Sequence, residues 1–271
     1  MAGMNSGTGK IATLRQDGIG KSSPHAWMGI PAALGALVAN LPLLVARRPR
    51  TPLRVLAVVA ITAALRSRGV TLRPASRRSV IEAMELGALL NDRFDSGVAD
   101  PAALREQVVW FARSPHRDLV WCYAKRLRRY ERCRPSPGEP VAVVKSYRED
   151  VNRISLALLW ALASGTKLAA AEFETWQAED LRLLFNLVML IQVLDDLLDA
   201  GHDRSLKLPS FATVPGATAA ALQAVVSVYA AATPWRFDGN FCLRLAVGIV
   251  AICTRGMIAI RSVSGSCQTG S

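Results

Sequence analysis

Signals of β-structure are scarce in this sequence: apolar runs of period two and tight Asn-Gly turns hardly occur, which argues against a sandwich or barrel. Cysteine is sparse too. Cys122, Cys133, Cys242, Cys253 and Cys267 form no Cys-x-x-Cys pair, and no secretory leader precedes them. A disulfide framework and a zinc site both lack their spacing, so reduced thiols in a cytosolic protein are expected. Acidic residues are few against basic ones, 21 Asp and Glu against 33 Lys and Arg, and they thin out further after Asp203. A net charge of +12 favours an anionic partner: nucleic acid, membrane surface or phosphorylated small molecule. Zinc-finger spacing, an aromatic RNA-binding signature and a heptad-linked basic helix are all missing, which argues against nucleic acid. Peripheral association with a membrane surface suits the charge better.

What is abundant is Ala and Leu at helical spacing, in a chain of 271 residues that is half apolar and long enough to bury a sizeable core. An all-α protein is expected. Residues 1–24, rich in Gly and Ser, read as a flexible tail, and residues 25–265 as a single helical domain. Gly18-Ile19-Gly20-Lys21-Ser22 resembles the end of a phosphate-binding loop, but Arg15 stands where a Gly is needed and Ser23-Pro24 follow instead of a helix. Residues 26–46 are uncharged and near the length of a bilayer span, yet Pro31, Asn40 and Pro42 interrupt them. Two short core helices or an amphipathic surface segment fits them better than an anchor. Helices are predicted over 77–95, 102–113, 117–132, 141–164, 170–200, 218–232 and 242–261, with a loop at Pro135-Ser136-Pro137-Gly138. The basic run Lys125 to Arg129, closed by Tyr130, either tracks phosphates or is a solvated helix face.

Two acidic motifs stand out. Gln192-Val193-Leu194-Asp195-Asp196-Leu197-Leu198-Asp199-Ala200-Gly201-His202-Asp203 closes an apolar helix. A helix turns by about 100° per residue, so Asp195, Asp199 and Asp203 share one stripe if the helix survives Gly201. Carboxylates about 6 Å apart repel one another unless cations sit between them, and at a helix C-terminus they also oppose the helix dipole. Mg²⁺ prefers hard oxygen ligands and commonly joins one or two carboxylates to substrate phosphates. The second motif, Asn91-Asp92-Arg93-Phe94-Asp95, places Asp92 and Asp95 on one face at the end of another apolar-periodic helix. The two motifs lie about 100 residues apart, which suggests two helices facing each other across a cavity.

These residues resemble the class I isoprenoid synthases, and within them the squalene/phytoene synthase branch. Arg77-Arg78 precede the first motif by about a dozen residues, Tyr147-Arg148-Glu149-Asp150-Val151 follows, and Gln192, Asp195, Asp199 and Asp203 lead on to Lys207-Leu208-Pro209. The resemblance covers roughly half the chain. It implies a helical bundle with a central cavity in which Asp92, Asp95, Asp195, Asp199 and Asp203 hold Mg²⁺ and a prenyl diphosphate. Arg77, Arg78, Arg204 and Lys207 would assist on the diphosphate. Tyr147 would bond the diphosphate or stabilise a carbocation, and Gln192 would orient a metal-bound water or the diphosphate. Ala88 or Leu89, and Leu198, stand near places where that branch has arginines, which points away from head-to-head condensation. The second motif is also similar to that of chain-elongating trans-prenyltransferases, whose Arg-Arg-Gly is absent after Asp95. Membrane-embedded prenyltransferases share such motifs as well, but residues 101–150 are too charged to span a bilayer. A terpene cyclase or a prenyltransferase with an unusual acceptor is the expected enzyme. A non-catalytic membrane-surface protein or partner subunit is the rival.

Overall fold

A computed structural model describes residues 58–65, 68, 71–96, 101–165, 178–231 and 240–266. The expected tail, the phosphate-loop-like stretch and the apolar segment 26–46 lie outside the described residues. Among those described, the chain is all-helical and without strands. In chain order the helices are α1 (58–65), α2 (Pro74–Ser96), α3 (Pro101–Ala112), α4 (Arg117–Arg132), α5 (Val141–Ser164), α6 (Glu179–Leu198), α7 (Ala200–Ser205), α8 (Ala219–Ala230) and α9 (Phe241–Ser266). The first of these falls before the predicted series and was not anticipated.

The run Leu181 to Leu197 is apolar on nearly every side, and so it needs neighbours on nearly every side. It finds them in α5, α8 and α9, with α9 making the most extensive contact. Leu184, Leu187, Met189, Leu190 and Val193 are wholly shielded from solvent. Truncating any of these leucines to Ala is expected to cost about 2–5 kcal/mol. Helix α5 is the hinge of the architecture, because it packs on α2 and α4 as well as on α6. Its C-terminal half, from Ile154 to Ala163, is core, whereas its N-terminal half carries Tyr147, Arg148 and Asn152. The two acidic helices are thus spaced by a common neighbour.

Local chemistry fixes the helix ends. Glu179 and Asp180 occupy the first turn of α6, where the helix dipole favours negative charge. Asp180 accepts from Arg68 Nε at 2.5 Å and Nη2 at 2.9 Å, and Glu179 pairs with the buried Arg244 of α9 at 3.0 Å. Gly165 closes α5 with φ of 76°, a left-handed conformation that favours a residue without Cβ. Thr218 caps α8, its Oγ1 accepting from the Ala221 amide at 3.2 Å.

Candidate functional site

The last turns of α2 present Asn91, Asp92 and Asp95 to a cavity of about 870 Å³. From the other side the end of α6 and the short α7 present Asp195, Asp199 and Asp203 to the same space. The helix does break, but at Asp199 and not at Gly201. Asp199 terminates α6 with φ −93° and ψ 9°, and α7 starts at the next residue. Hydrogen bonding runs through the break, with the Asp199 amide donating to the Asp195 carbonyl and the Asp203 amide to the Asp199 carbonyl, each at 2.9 Å. Successive turns therefore keep the three carboxylates on the cavity side, as the i, i+4, i+8 spacing requires.

Between the acidic walls lies a basic one. Lys125 and Arg128 of α4, Arg134 just beyond it and Arg148 of α5 all line the cavity. The basic run on α4 thus divides: Lys125 and Arg128 border the cavity and Arg129 and Arg132 do not, although all four are exposed. Arg134 donates from Nη1 to Asp95 Oδ1 at 2.6 Å, and from Nε and Nη2 to Glu131 Oε2 at 3.1 and 2.6 Å. Tyr147 OH completes the network by donating to Glu131 Oε1 at 2.9 Å. Asn91 Nδ2 donates to the other oxygen of Asp95 at 2.6 Å. Burial alone would lower the pKa of Arg134, but the Asp95 hydrogen bond and the charges of Glu131 and Asp95 outweigh it and hold it above its ordinary value. Burial, reinforced by the Glu131 charge, pushes the Tyr147 phenol up to about 12.

Asp196 is the carboxylate that motif reasoning passed over. It is buried, and it accepts from Gln192 Nε2 at 2.8 Å, from the Phe211 amide at 2.9 Å and from Arg148 Nη2 at 3.4 Å. Asp196 therefore pins the chain after α7 to α6 and steadies Arg148. Its place four residues after Gln192, on the face shared with Val193 and Leu197, is the sequence signal for that role. Burial raises the pKa of Asp203, and the nearby charges of Asp196 and Asp199 add to the effect against a Ser210 hydrogen bond and the Arg148 charge.

No family model, curated protein or solved structure matches the chain. The site is therefore read from its own geometry.

Arg77, Arg78, Arg204 and Lys207 do not line the cavity. Arg77 sits in the first turn of α2, about 22 Å along the helix from Asp92 at 1.5 Å per residue. Arg78 stacks over Trp110 at 5.7 Å and pairs with Glu82 at 3.7 Å, joining α2 to α3. Lys207 has φ of 54° and ends α7. Its amide donates to the Arg204 carbonyl at 3.2 Å and that of Leu208 to the Asp203 carbonyl at 2.8 Å, a turn in which residue 207 serves through its backbone. Among the described residues no three Asp, Glu, His or Cys side chains converge on a point where they alone would hold a metal ion. Apolar side chains, among them Leu90, Phe94, Trp121, Leu127 and Val151, share the rest of the lining with polar ones such as Asn152, Ser155, Gln192 and His202.

Proposed function

We propose that this chain is an Mg²⁺-dependent enzyme that ionises an allylic prenyl diphosphate and then joins or cyclises the prenyl chain. The observation that carries the reading is one cavity walled by both acidic motifs, by four cationic side chains and by a group of apolar side chains. A prenyl diphosphate has those three needs: divalent cations and fixed cations for its head, and a dry apolar space for its tail.

The residues fit Mg²⁺ in a particular way. Spread carboxylates do not make a preformed cage, but Mg²⁺ usually takes only one or two of them and completes its shell with phosphate oxygens and water. Asp92 and Asp95 on one side, and Asp195, Asp199 and Asp203 on the other, would hold the ions. The bound ions would supply neutralisation of the charge that builds on the departing diphosphate. Arg148 Nε is buried and lacks a hydrogen-bond partner, so the cavity wall holds a donor in need of an acceptor. Lys125, Arg128, Arg134 and Arg148 replace Arg77, Arg78, Arg204 and Lys207 as the side chains we assign to the diphosphate. Arg134 must leave Asp95 for that carboxylate to bind a metal, and it then faces the incoming anion. Tyr147 acts through Glu131, holding the base of this network, and Gln192 acts through Asp196. Trp121, Leu127 and Val151, each partly shielded from solvent, would keep water from the cation formed by ionisation.

The test is incubation of the full chain with ten-, fifteen- and twenty-carbon allylic diphosphates, with and without Mg²⁺, following pyrophosphate release and hexane-extractable products. Metal-dependent release with a hydrocarbon or alcohol product supports cyclisation or ionisation. Release only with an added acceptor, whether a second diphosphate or another nucleophile, supports transfer, elongation or coupling. The Asp95–Arg134 bond favours a second reading, a non-catalytic partner subunit whose cavity binds diphosphate without turnover. Saturable pyrophosphate binding with no product from any substrate would select it.

A further inference from the structure

Helix α5 lines the cavity with polar side chains well beyond its charged end. Tyr147 and Arg148 stand near its N-terminus, and Val151, Asn152 and Ser155 follow along the same cavity wall. At 1.5 Å per residue Asn152 lies about 6 Å and Ser155 about 10 Å past Arg148, toward the core half of the helix. Helix α6 runs antiparallel beside it, since Arg148 reaches Asp196 and Asn152 reaches Met189. Gln192 sits between Met189 and Asp196 and also lines the cavity, so it faces the stretch of α5 from Arg148 to Asn152.

The hydrogen bonding of these polar side chains is incomplete. Asn152 Nδ2 donates to the buried Met189 Sδ at 3.3 Å, a weak acceptor, and Asn152 Oδ1 accepts from none of the described residues. Gln192 Nε2 donates to Asp196 at 2.8 Å and leaves Oε1 open. Helical hydroxyls elsewhere in the chain bond back to the preceding turn: Thr62 Oγ1 to the Val58 carbonyl at 2.7 Å, Ser79 Oγ to that of Ala75 at 3.1 Å, and Thr254 Oγ1 to that of Val250 at 2.7 Å. Ser155 Oγ makes no such bond, and no other among the described residues. Asn152 and Ser155, three residues apart, share a helix face. Two open acceptors and an open hydroxyl thus border one part of the cavity, and an ordered hydroxyl group needs two or more such partners.

We propose that Asn152, Ser155 and Gln192 form a subsite for a hydroxyl nucleophile, water or an organic alcohol, that captures the allylic cation. The inference rests on the ionising reading of the cavity and adds where the cation ends. A diphosphate held at Arg148 places the first carbons of its prenyl chain along the Asn152–Ser155 stretch. Ionisation breaks the C–O bond and leaves its electron pair on the pyrophosphate. A lone pair of the held hydroxyl oxygen forms the new C–O bond, and the hydroxyl proton passes to the pyrophosphate. Asn152 Oδ1 and Gln192 Oε1 accept hydrogen from the nucleophile and Ser155 Oγ positions it, which aims the lone pair at the cation. Water gives an alcohol, and an alcohol gives an ether. Trp121, Leu127 and Val151 keep out bulk water, so capture falls to the held group.

The test is incubation of the full chain with Mg²⁺ and ten-, fifteen- and twenty-carbon allylic diphosphates in water labelled with heavy oxygen, with and without geraniol as the alcohol probe. The readout is the oxygenated share of the product relative to hydrocarbon. Wild type is expected to give mainly oxygenated product: labelled alcohol identifies water as the nucleophile, and a geranyl ether identifies an alcohol. Asn152→Leu and Ser155→Ala are each expected to lower the oxygenated share by about fivefold or more, the scale of one lost hydrogen bond. Ser155→Thr, which keeps the hydroxyl, is expected to restore it. Release of pyrophosphate by wild type with hydrocarbon products alone overturns this inference and leaves the ionising reading standing. So does an oxygenated share that is unchanged in both Asn152→Leu and Ser155→Ala, each shown to be folded, since the oxygen then comes from water held elsewhere. Absence of release from every substrate overturns the ionising reading, and this inference with it.

Discussion

Replacing Arg134 by Ala removes a side chain that joins the first acidic motif to the Glu131–Tyr147 pair. The substitution breaks a 2.6 Å bond to Asp95 and a two-pronged contact with Glu131 at 3.1 and 2.6 Å. Breaking a fully buried ion pair costs about 3–5 kcal/mol, whereas an exposed pair contributes about 0.2–1 kcal/mol. The three side chains retain 20, 19 and 13% of their exposure, which places them between these limits and nearer the buried one. A loss of about 2–3 kcal/mol follows, or a fall in Tm of about 5–10 °C for a domain of this size. Arg134→Lys should recover under half of it, because one ammonium cannot span the fork. The assay is thermal unfolding by circular dichroism on wild type, Arg134→Ala, Asp95→Asn and the double variant, without Mg²⁺. The pair should couple by about 1–2 kcal/mol, the double variant being less destabilised than the sum of the single changes. A Tm within 2 °C of wild type for Arg134→Ala, or strict additivity, would refute the claim that Arg134 and Asp95 hold each other.

Other consequences are as direct. Lys207→Gly removes the ammonium but suits the left-handed backbone at that position; Tm should hold or rise slightly, and metal-dependent turnover should stay within about twofold, whereas a diphosphate ligand would be missed at once. In an alkaline absorbance titration, Tyr147 and Tyr229 should ionise later than the exposed phenol standard. Burial and Glu131 hold Tyr147 near 12, and burial with the Glu149 hydrogen bond raises Tyr229. Both folded values lie above the unfolded one. The stabilisation is therefore intact below about pH 10 and is lost as pH rises toward the folded values, so unfolding midpoints should drop over that interval, less so in Tyr147→Phe. Thr218→Ala should cost about 1 kcal/mol by removing the cap on the Ala221 amide, a fall in Tm of about 2–4 °C by the same unfolding assay.

Much of the helical order was legible in the residues, since periodicity and punctuation are local signals. The expected helices 117–132 and 141–164 coincide with α4 and α5, set off by the Pro135–Gly138 loop and closed by Gly165. Two acidic stripes were legible for the same reason, because i, i+3 and i, i+4 spacing fixes a face before any partner is known. What periodicity does not encode is which face meets which. The bond from Asp95 to Arg134 spans 39 residues and a loop, and that from Arg148 to Asp196 spans 48. Hence cationic side chains were expected at Arg77, Arg78, Arg204 and Lys207, whereas those that line the cavity are Lys125, Arg128, Arg134 and Arg148. Asp196 was read as one of a run of aspartates, yet its position on the apolar face of α6 makes it a buried anchor. Helix α1 escaped because the predicted series began only at residue 77; its short apolar run follows the Arg- and Pro-rich stretch 47–54.

The account rests most heavily on the two acidic motifs acting on one substrate. Pyrophosphate release from allylic diphosphates should be measured for wild type, Asp92→Ala and Asp199→Ala, each shown to be folded, with and without Mg²⁺. The account predicts Mg²⁺-dependent release by wild type and a loss of about a hundredfold or more in each variant, since removing one charge-stabilising group at a site of developing charge commonly costs that much. Release that survives both substitutions, or that does not need the metal, would contradict it.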